Sequence, residues 1–302
     1  MKRKYQHSFL VIILVLFSSF SSFAATGTSR TPRDFMPRQA DGATLSLSRR
    51  LFNDGQGGPI TGLAQLGLLG RNVVADTSPN WAGYAITGGP TGSEYVEAFS
   101  DWTVPSLSCE IPNSRISTWV GIDGFHSSTV EQGGLDAYCS SGSTHYYLWW
   151  EAYPSDTEQK IKSIQLKPGE IIDGAIGYDG GNEYGLELTV YNSSVTKSLF
   201  HWQGNMYQAG SNSSAECILE VQPNFNVADF GTGTFETCNG YTWVPGSPTE
   251  QGFDTTSSGP PYTVHRINMV RDGVTDVTTG APYDLWSCSP PCHAFHVYFK
   301  HA

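Results

Sequence analysis

The sequence predicts an all-β domain, an antiparallel sandwich or jelly roll, over residues 77–302. Three observations predict it. Short β-rich runs recur between Gly, Asn, Asp and Pro. Their apolar residues alternate with period two rather than with helical spacing. All eight Trp lie beyond residue 80, in a segment long enough to bury one large core.

Taken in order, the runs are Tyr95–Phe99, Ile116–Ile122, His145–Trp150, Gly185–Tyr191 and His296–Phe299. In the fourth, Leu186, Leu188 and Val190 mark one face of a strand. In the second, Trp119, Gly121 and Asp123 fall on one side, and Val120 and Ile122 on the other. The only helix-like stretch, Ile60 to Leu69, lies before the domain. Many strands at this spacing in one segment imply sheets packed face to face.

Residues 1–24 have the pattern of a secretory signal. Lys2, Arg3 and Lys4 precede the apolar run Phe9–Phe17, and Ser22 and Ala24 supply small residues for cleavage. The apolar run is too short to span a bilayer, so export rather than anchoring is expected, and the product is extracellular. Residues 25–76 hold only Phe35 and Phe52 as aromatics and carry six Arg against four Asp. Residues 77–302 have eight basic and 24 acidic residues, a formal charge of −16. That change of sign suggests a propeptide that docks electrostatically and inhibits, with a boundary near residue 76; a disordered linker is the plainer alternative. So few cations exclude nucleic acid as a partner and disfavour an anionic membrane surface.

Six cysteines lie at 109, 139, 217, 238, 288 and 292. In an exported chain an even number suggests disulfides, and six permit 15 pairings. The short step from Cys288 to Cys292 predicts a local bridge, and no second Cys/His cluster completes a zinc site.

Familiar catalytic motifs are missing: there is no Gly-x-Ser-x-Gly elbow, no His-Glu-x-x-His helix and no paired Asp-Thr/Ser-Gly loops. What remains are polar residues on hydrophobic strands: Asp123, Gln132, Glu151 and Glu216. Each alone fits an outward-facing strand position, and together they suggest a site. A glycoside hydrolase or lyase would need two of Glu131, Glu151 and Glu216 as an essential pair. A lectin-like carbohydrate-binding module would need neither a carboxylate nor a propeptide.

Six ordered blocks resemble a known family. They are Asn80-Trp-Ala-Gly-Tyr84, Phe99-Ser-Asp-Trp-Thr-Val-Pro105, Thr118-Trp-Val-Gly-Ile-Asp-Gly124, Glu131-Gln-Gly-Gly-Leu-Asp136, Trp149-Trp-Glu-Ala-Tyr-Pro154 and Ala215-Glu-Cys-Ile-Leu-Glu220. In this order they look like the glutamic peptidases, or eqolisins, over about residues 78–230. The resemblance implies a concanavalin-like sandwich of two large curved antiparallel sheets, secretion as a proenzyme, and endopeptidase action in acid. It places the catalytic Gln on Gln132 and the catalytic Glu on Glu216, with Trp119, Asp123, Asp136 and Glu151 lining or supporting the site. The chain departs from the family at Cys217, usually Trp, and in an extra residue before Pro223. Polypeptides are the expected substrates and the chain's own propeptide its inhibitor. No cofactor or metal is expected, pepstatin should bind poorly, and the enzyme should be a monomer.

The dyad suits amide hydrolysis. An ionised Glu216 could take a proton from water and return it to the leaving nitrogen, while the Gln132 amide, which does not titrate, donates to the oxyanion.

Overall fold

The computed structural model describes residues 73–161, 164–192, 198–243, 251–254, 261–285 and 292–301. The signal segment, nearly all of the expected propeptide with its helix-like stretch, and the expected Cys288–Cys292 bridge lie outside the described residues. The described residues form 19 strands and no helix.

One layer takes its order from strand pairing. It runs β7 (Gln159–Ile161), β6 (Ser143–Tyr153), β5 (Val130–Ser140), β4 (Ser114–Asp123), β11 (Ser214–Glu220), β2 (Trp81–Gly88), β16 (Tyr262–Arg271) and β1 (Val73–Ser78). All neighbours are antiparallel except β1, which runs parallel to β16, and the short β12 (Asn226–Val227), which runs parallel to β4. The second layer is built from β10 (Ser198–Tyr207), β9 (Glu183–Tyr191), β8 (Ile171–Gly180) and β3 (Glu94–Thr103). It continues into β14 (Asn239–Trp243) with β15 (Gln251–Asp254), and into β13 (Thr232–Phe235) with β19 (Cys292–Phe299). The layers join where β17 (Val274–Thr279) pairs with both β16 and β19, and β18 (Tyr283–Leu285) closes on β19. The architecture is the sandwich that the alternation predicts.

The main core fills the space between the layers. Val120 and Ile122 of β4, Ala215, Cys217 and Leu219 of β11, and Leu186, Leu188 and Val190 of β9 all point into it. Burying each large aliphatic side chain there contributes roughly 1.5–3 kcal/mol. The opposite parity of β4 and β11 forms a second, smaller cluster on the far face of the first layer, around Trp119, Trp149, Ile218 and Ile267. That face carries the candidate site.

Two disulfides are present among the described residues, Cys109–Cys139 and Cys217–Cys238. The second accounts for the Cys found where the family usually has Trp. Cys217 faces the core, away from its neighbour Glu216, and ties β11 to the segment leading into β14. Strand β1 crosses the expected propeptide boundary, and Asp76 Oδ2 lies 2.7 Å from His265 Nδ1.

Candidate active site

Pairing register puts Glu151, Gln132, Gly121 and Glu216 in one row across β6, β5, β4 and β11. Residues opposite one another in a sheet share a face, so all four address the side away from the main core. Gln132 and Glu216 are two strands apart, which sets their backbones roughly 9–10 Å from each other. The residue between them is Gly121, which adds no side chain of its own to the row. A Cβ on Gly121 would lie 2.9 Å from Cζ3 of Trp119 and 3.0 Å from the Glu131 carbonyl oxygen. The indole of Trp119 therefore forms the wall of this gap.

Gln132 is nearly fully buried; its Nε2 donates to Glu151 Oε2 at 2.9 Å, and its Oε1 has no partner. Glu216 is completely buried. Its Oε1 accepts from the Phe125 backbone N–H at 3.4 Å, and its Oε2 has no partner. Burial dominates, and with the nearby Ser214 hydroxyl and the Phe125 N–H offsetting it only in part the Glu216 pKa is pushed well above the usual carboxylate value. The Asp123 and Glu131 charges push it the same way. Burial also raises Glu151, helped by Glu158 and Glu220.

The segment from Gly124 to Thr129 lies over Glu216. Phe125 stacks on His126 with centroids 4.2 Å apart and packs on His265 at 4.5 Å. The chain enters it through Asp123 and Gly124, both with positive φ. A Cβ on Gly124 would sit 2.9 Å from the Trp81 ring, so this entry needs glycine for space as well as conformation. Beside this cover opens a cavity of about 420 Å³, lined by Trp81, Gln132, Trp149, Glu151, Glu158 and Glu220, with Ser127–Thr129 on one wall. The cavity reaches Gln132 but not Glu216.

Asp123 does not point into the gap. Its carboxylate accepts the backbone N–H groups of Ser211, Asn212 and Ser213 at 2.6–2.8 Å, and so pins the turn that launches β11. Asn212 is buried in this turn and accepts from the Tyr184 hydroxyl. Asp136 sits two residues along β5 from Gly134, in a paired ion contact with Arg115, which also reaches Tyr147 and Glu158. Burial still pushes the Asp136 pKa upward despite that guanidinium. The structure thus brings Gln132, Glu151, Glu216 and Trp119 together and assigns Asp123 and Asp136 to fixing loops and strands around them.

Sequence reasoning missed the cover and the buried setting of Glu131. The cover has no periodic signature. Glu131, buried on the core side, accepts from Gln208 Nε2 at 2.5 Å, and burial raises its pKa to about 8. Among the described residues no group of three or more His, Cys, Asp or Glu is arranged to hold a metal ion.

The comparisons agree with this fold. The family model described as the Peptidase A4 family matches residues 79–257. Scytalido-glutamic peptidase with a transition state analog inhibitor is similar in fold, with 17% identity and a TM-score of 0.52. That match covers 74% of this chain and 99% of the other. SCP-B, a member of the Eqolisin family, in a complex with a tripeptide, matches at 16% identity over the same shares with a TM-score of 0.50. No curated protein matches the chain. With more than half of its length inside the family match, the chain belongs to the Peptidase A4 family, the glutamic endopeptidases called eqolisins.

Proposed function

We propose that the chain is a secreted endopeptidase that cleaves polypeptides in acid with Glu216 as general base and Gln132 as oxyanion donor. The observation that supports this reading is the row in which Gln132 and Glu216 flank the side-chain-free Gly121. In this reading a water and a scissile carbonyl enter between an amide donor on one side and a carboxylate on the other once the cover moves. Glu151 accepts one Nε2 hydrogen of Gln132, which orients the amide and leaves the second Nε2 hydrogen to donate to the oxyanion. The two carboxylates Glu151 and Glu216 lie three strands apart with Gln132 in between, which disfavours a glycosidase pair.

In the covered state burial favours the neutral form of Glu216. Movement of the Gly124–Thr129 segment would admit water and substrate, remove the burial penalty and free the carboxylate to act as base. Glu216 would take the proton of the attacking water and pass it to the departing nitrogen.

Residues 1–24 serve export, and residues 25 to roughly 76 act as an inhibitory propeptide. The segment is net positive and the domain that follows has a formal charge of −16, and protonation of that domain in acid weakens the attraction. The mature enzyme works as a monomer and resists pepstatin, which is shaped for two aspartates. The test is casein hydrolysis in acid by wild type, Glu216→Gln and Gln132→Ala, with circular dichroism to confirm folding. Both variants should lose at least about a hundredfold in kcat, the scale of one lost oxyanion donor. Near-normal turnover by Glu216→Gln overturns the assignment. N-terminal sequencing of secreted enzyme shows whether β1 survives maturation whole.

A further inference from the structure

Glu220 ends β11 four residues after Glu216 and on the same face, yet it lies outside the gap. One of its oxygens, Oε2, accepts the indole N–H of Trp119 at 2.9 Å. The other, Oε1, accepts from Asn80 Nδ2 at 3.0 Å, and Asn80 in turn accepts from the Ser78 hydroxyl at 3.0 Å. Trp119 is fully buried, with Trp81 edge-on at 5.1 Å. Its six-membered ring edge is the part that approaches Gly121.

An indole is asymmetric: turned over about its Cβ–Cγ bond, it would present a different edge to Gly121. Apolar packing alone discriminates weakly between such orientations, because both bury the same area. A buried N–H strongly prefers the orientation that finds an acceptor, since leaving it unpaired costs about 1–3 kcal/mol. Glu220 supplies that acceptor, and Asn80 prevents it from following the ring.

We propose that Glu220 is a positioning residue of the same site, which locks the Trp119 indole and thereby sets the width of the gap between Gln132 and Glu216. The inference rests on the Gln132–Glu216 reading above. It assigns Glu220 no contact with the reacting atoms: its effect passes through Trp119. A displacement of the wall by a fraction of an ångström changes where the water and carbonyl sit, and misplacement of about 1 Å can cost on the order of a hundredfold in rate.

The experiment compares Glu220→Leu, Glu220→Gln and Trp119→Phe, singly and as the double variant Glu220→Leu/Trp119→Phe, on a peptide substrate in acid. Glu216→Gln is run alongside. Glu220→Leu should lower kcat by roughly ten- to a hundredfold with KM within about threefold. Glu220→Gln, which keeps an acceptor oxygen, should restore most of that loss. In the Trp119→Phe background, where no N–H remains, Glu220→Leu should cost little more, a strong departure from additivity. Full kcat in Glu220→Leu overturns the proposal, as does a loss confined to KM, which would make Glu220 a substrate contact. So does an undiminished effect of Glu220→Leu in the Trp119→Phe background. If Glu220→Leu fails to fold, Glu220→Gln decides: a drop in kcat of tenfold or more would mean that charge rather than an acceptor is needed. Activity surviving in Glu216→Gln would instead sink the parent reading, whatever the Glu220 variants do.

Discussion

At the scale of single residues, what is absent matters as much as what is present. Gly121 separates the two proposed catalytic side chains and faces the Trp119 ring at less than van der Waals distance for any added methyl. Gly121→Ala should therefore cost about 1–3 kcal/mol of stability by overpacking. It should lower kcat/KM by more than the melting shift explains, because the methyl occupies the gap. Thermal unfolding and kinetics on the same preparation test both parts. Asp123 makes the opposite case, a residue rich in partners. Its carboxylate receives the backbone N–H groups of Ser211, Asn212 and Ser213. Asp123→Ala should cost on the order of 2–4 kcal/mol, since a turn ahead of β11 loses its acceptor. Faster amide exchange confined first to residues 211–213 is the expected signature. Uniform exchange across the domain would contradict a local role.

At the scale of elements, β11 shows what the sequence could and could not say. Its alternation was legible: Glu216, Ile218 and Glu220 on one face, with Ala215, Cys217 and Leu219 in the main core. Parity also marked Glu220 as a neighbour of Glu216. The partner of Cys217 was not legible, because pairing depends on which loops the sheets bring together, and spacing does not record that. Asp123 misled for a related reason. Period-two counting assigns it the face of Trp119, but it is the last residue of β4, still paired with Val130, and its positive φ re-aims the side chain toward the 211–213 turn. The cover over Glu216 escaped because a loop's position comes from contacts such as Phe125 on His265, distant in sequence. The disulfide offers a clean test of element tethering. Replacing Cys217 and Cys238 together by Ala should cost about 3 kcal/mol, as expected for a loop of this length. The folded fraction should keep most of its turnover, because Cys217 faces away from Glu216. Loss of turnover without loss of stability would show that the tether acts on the site itself.

At the scale of the whole molecule, the fold stores its acid carboxyls in places where they prefer to be neutral. Glu131 is buried between the layers, and burial lifts its pKa from 4.5 to about 8. Its Oε2 has no partner, and the Asp123 carboxylate is nearby, with both approaching the same side of Gly210. Glu216 is shifted in the same direction for the same first reason. The sign follows from proton linkage. Between the unfolded value near 4.5 and the folded value near 8, the native state binds more protons than the unfolded chain, so stability falls as pH rises through that window. Below it the cost is absent; above it the cost is complete, roughly 4–5 kcal/mol for Glu131 alone. The formal charge of −16 from residue 77 onward adds self-repulsion over the same range. A domain built in this way is most stable in mild acid, in keeping with the working condition proposed for it. The expected measurement is a urea midpoint that declines steadily from about pH 4.5 to pH 8 in the wild type. Glu131→Gln keeps an oxygen for Gln208 but cannot ionise, so its midpoint should decline distinctly less over that window. The slope that survives should come from the other carboxyls that burial raises, Glu216, Glu151, Glu220 and Asp136, and from the surface charge, and added salt should reduce mainly the surface part. If wild type and Glu131→Gln lose stability in parallel, the buried Glu131 does not govern the alkaline limit of this fold.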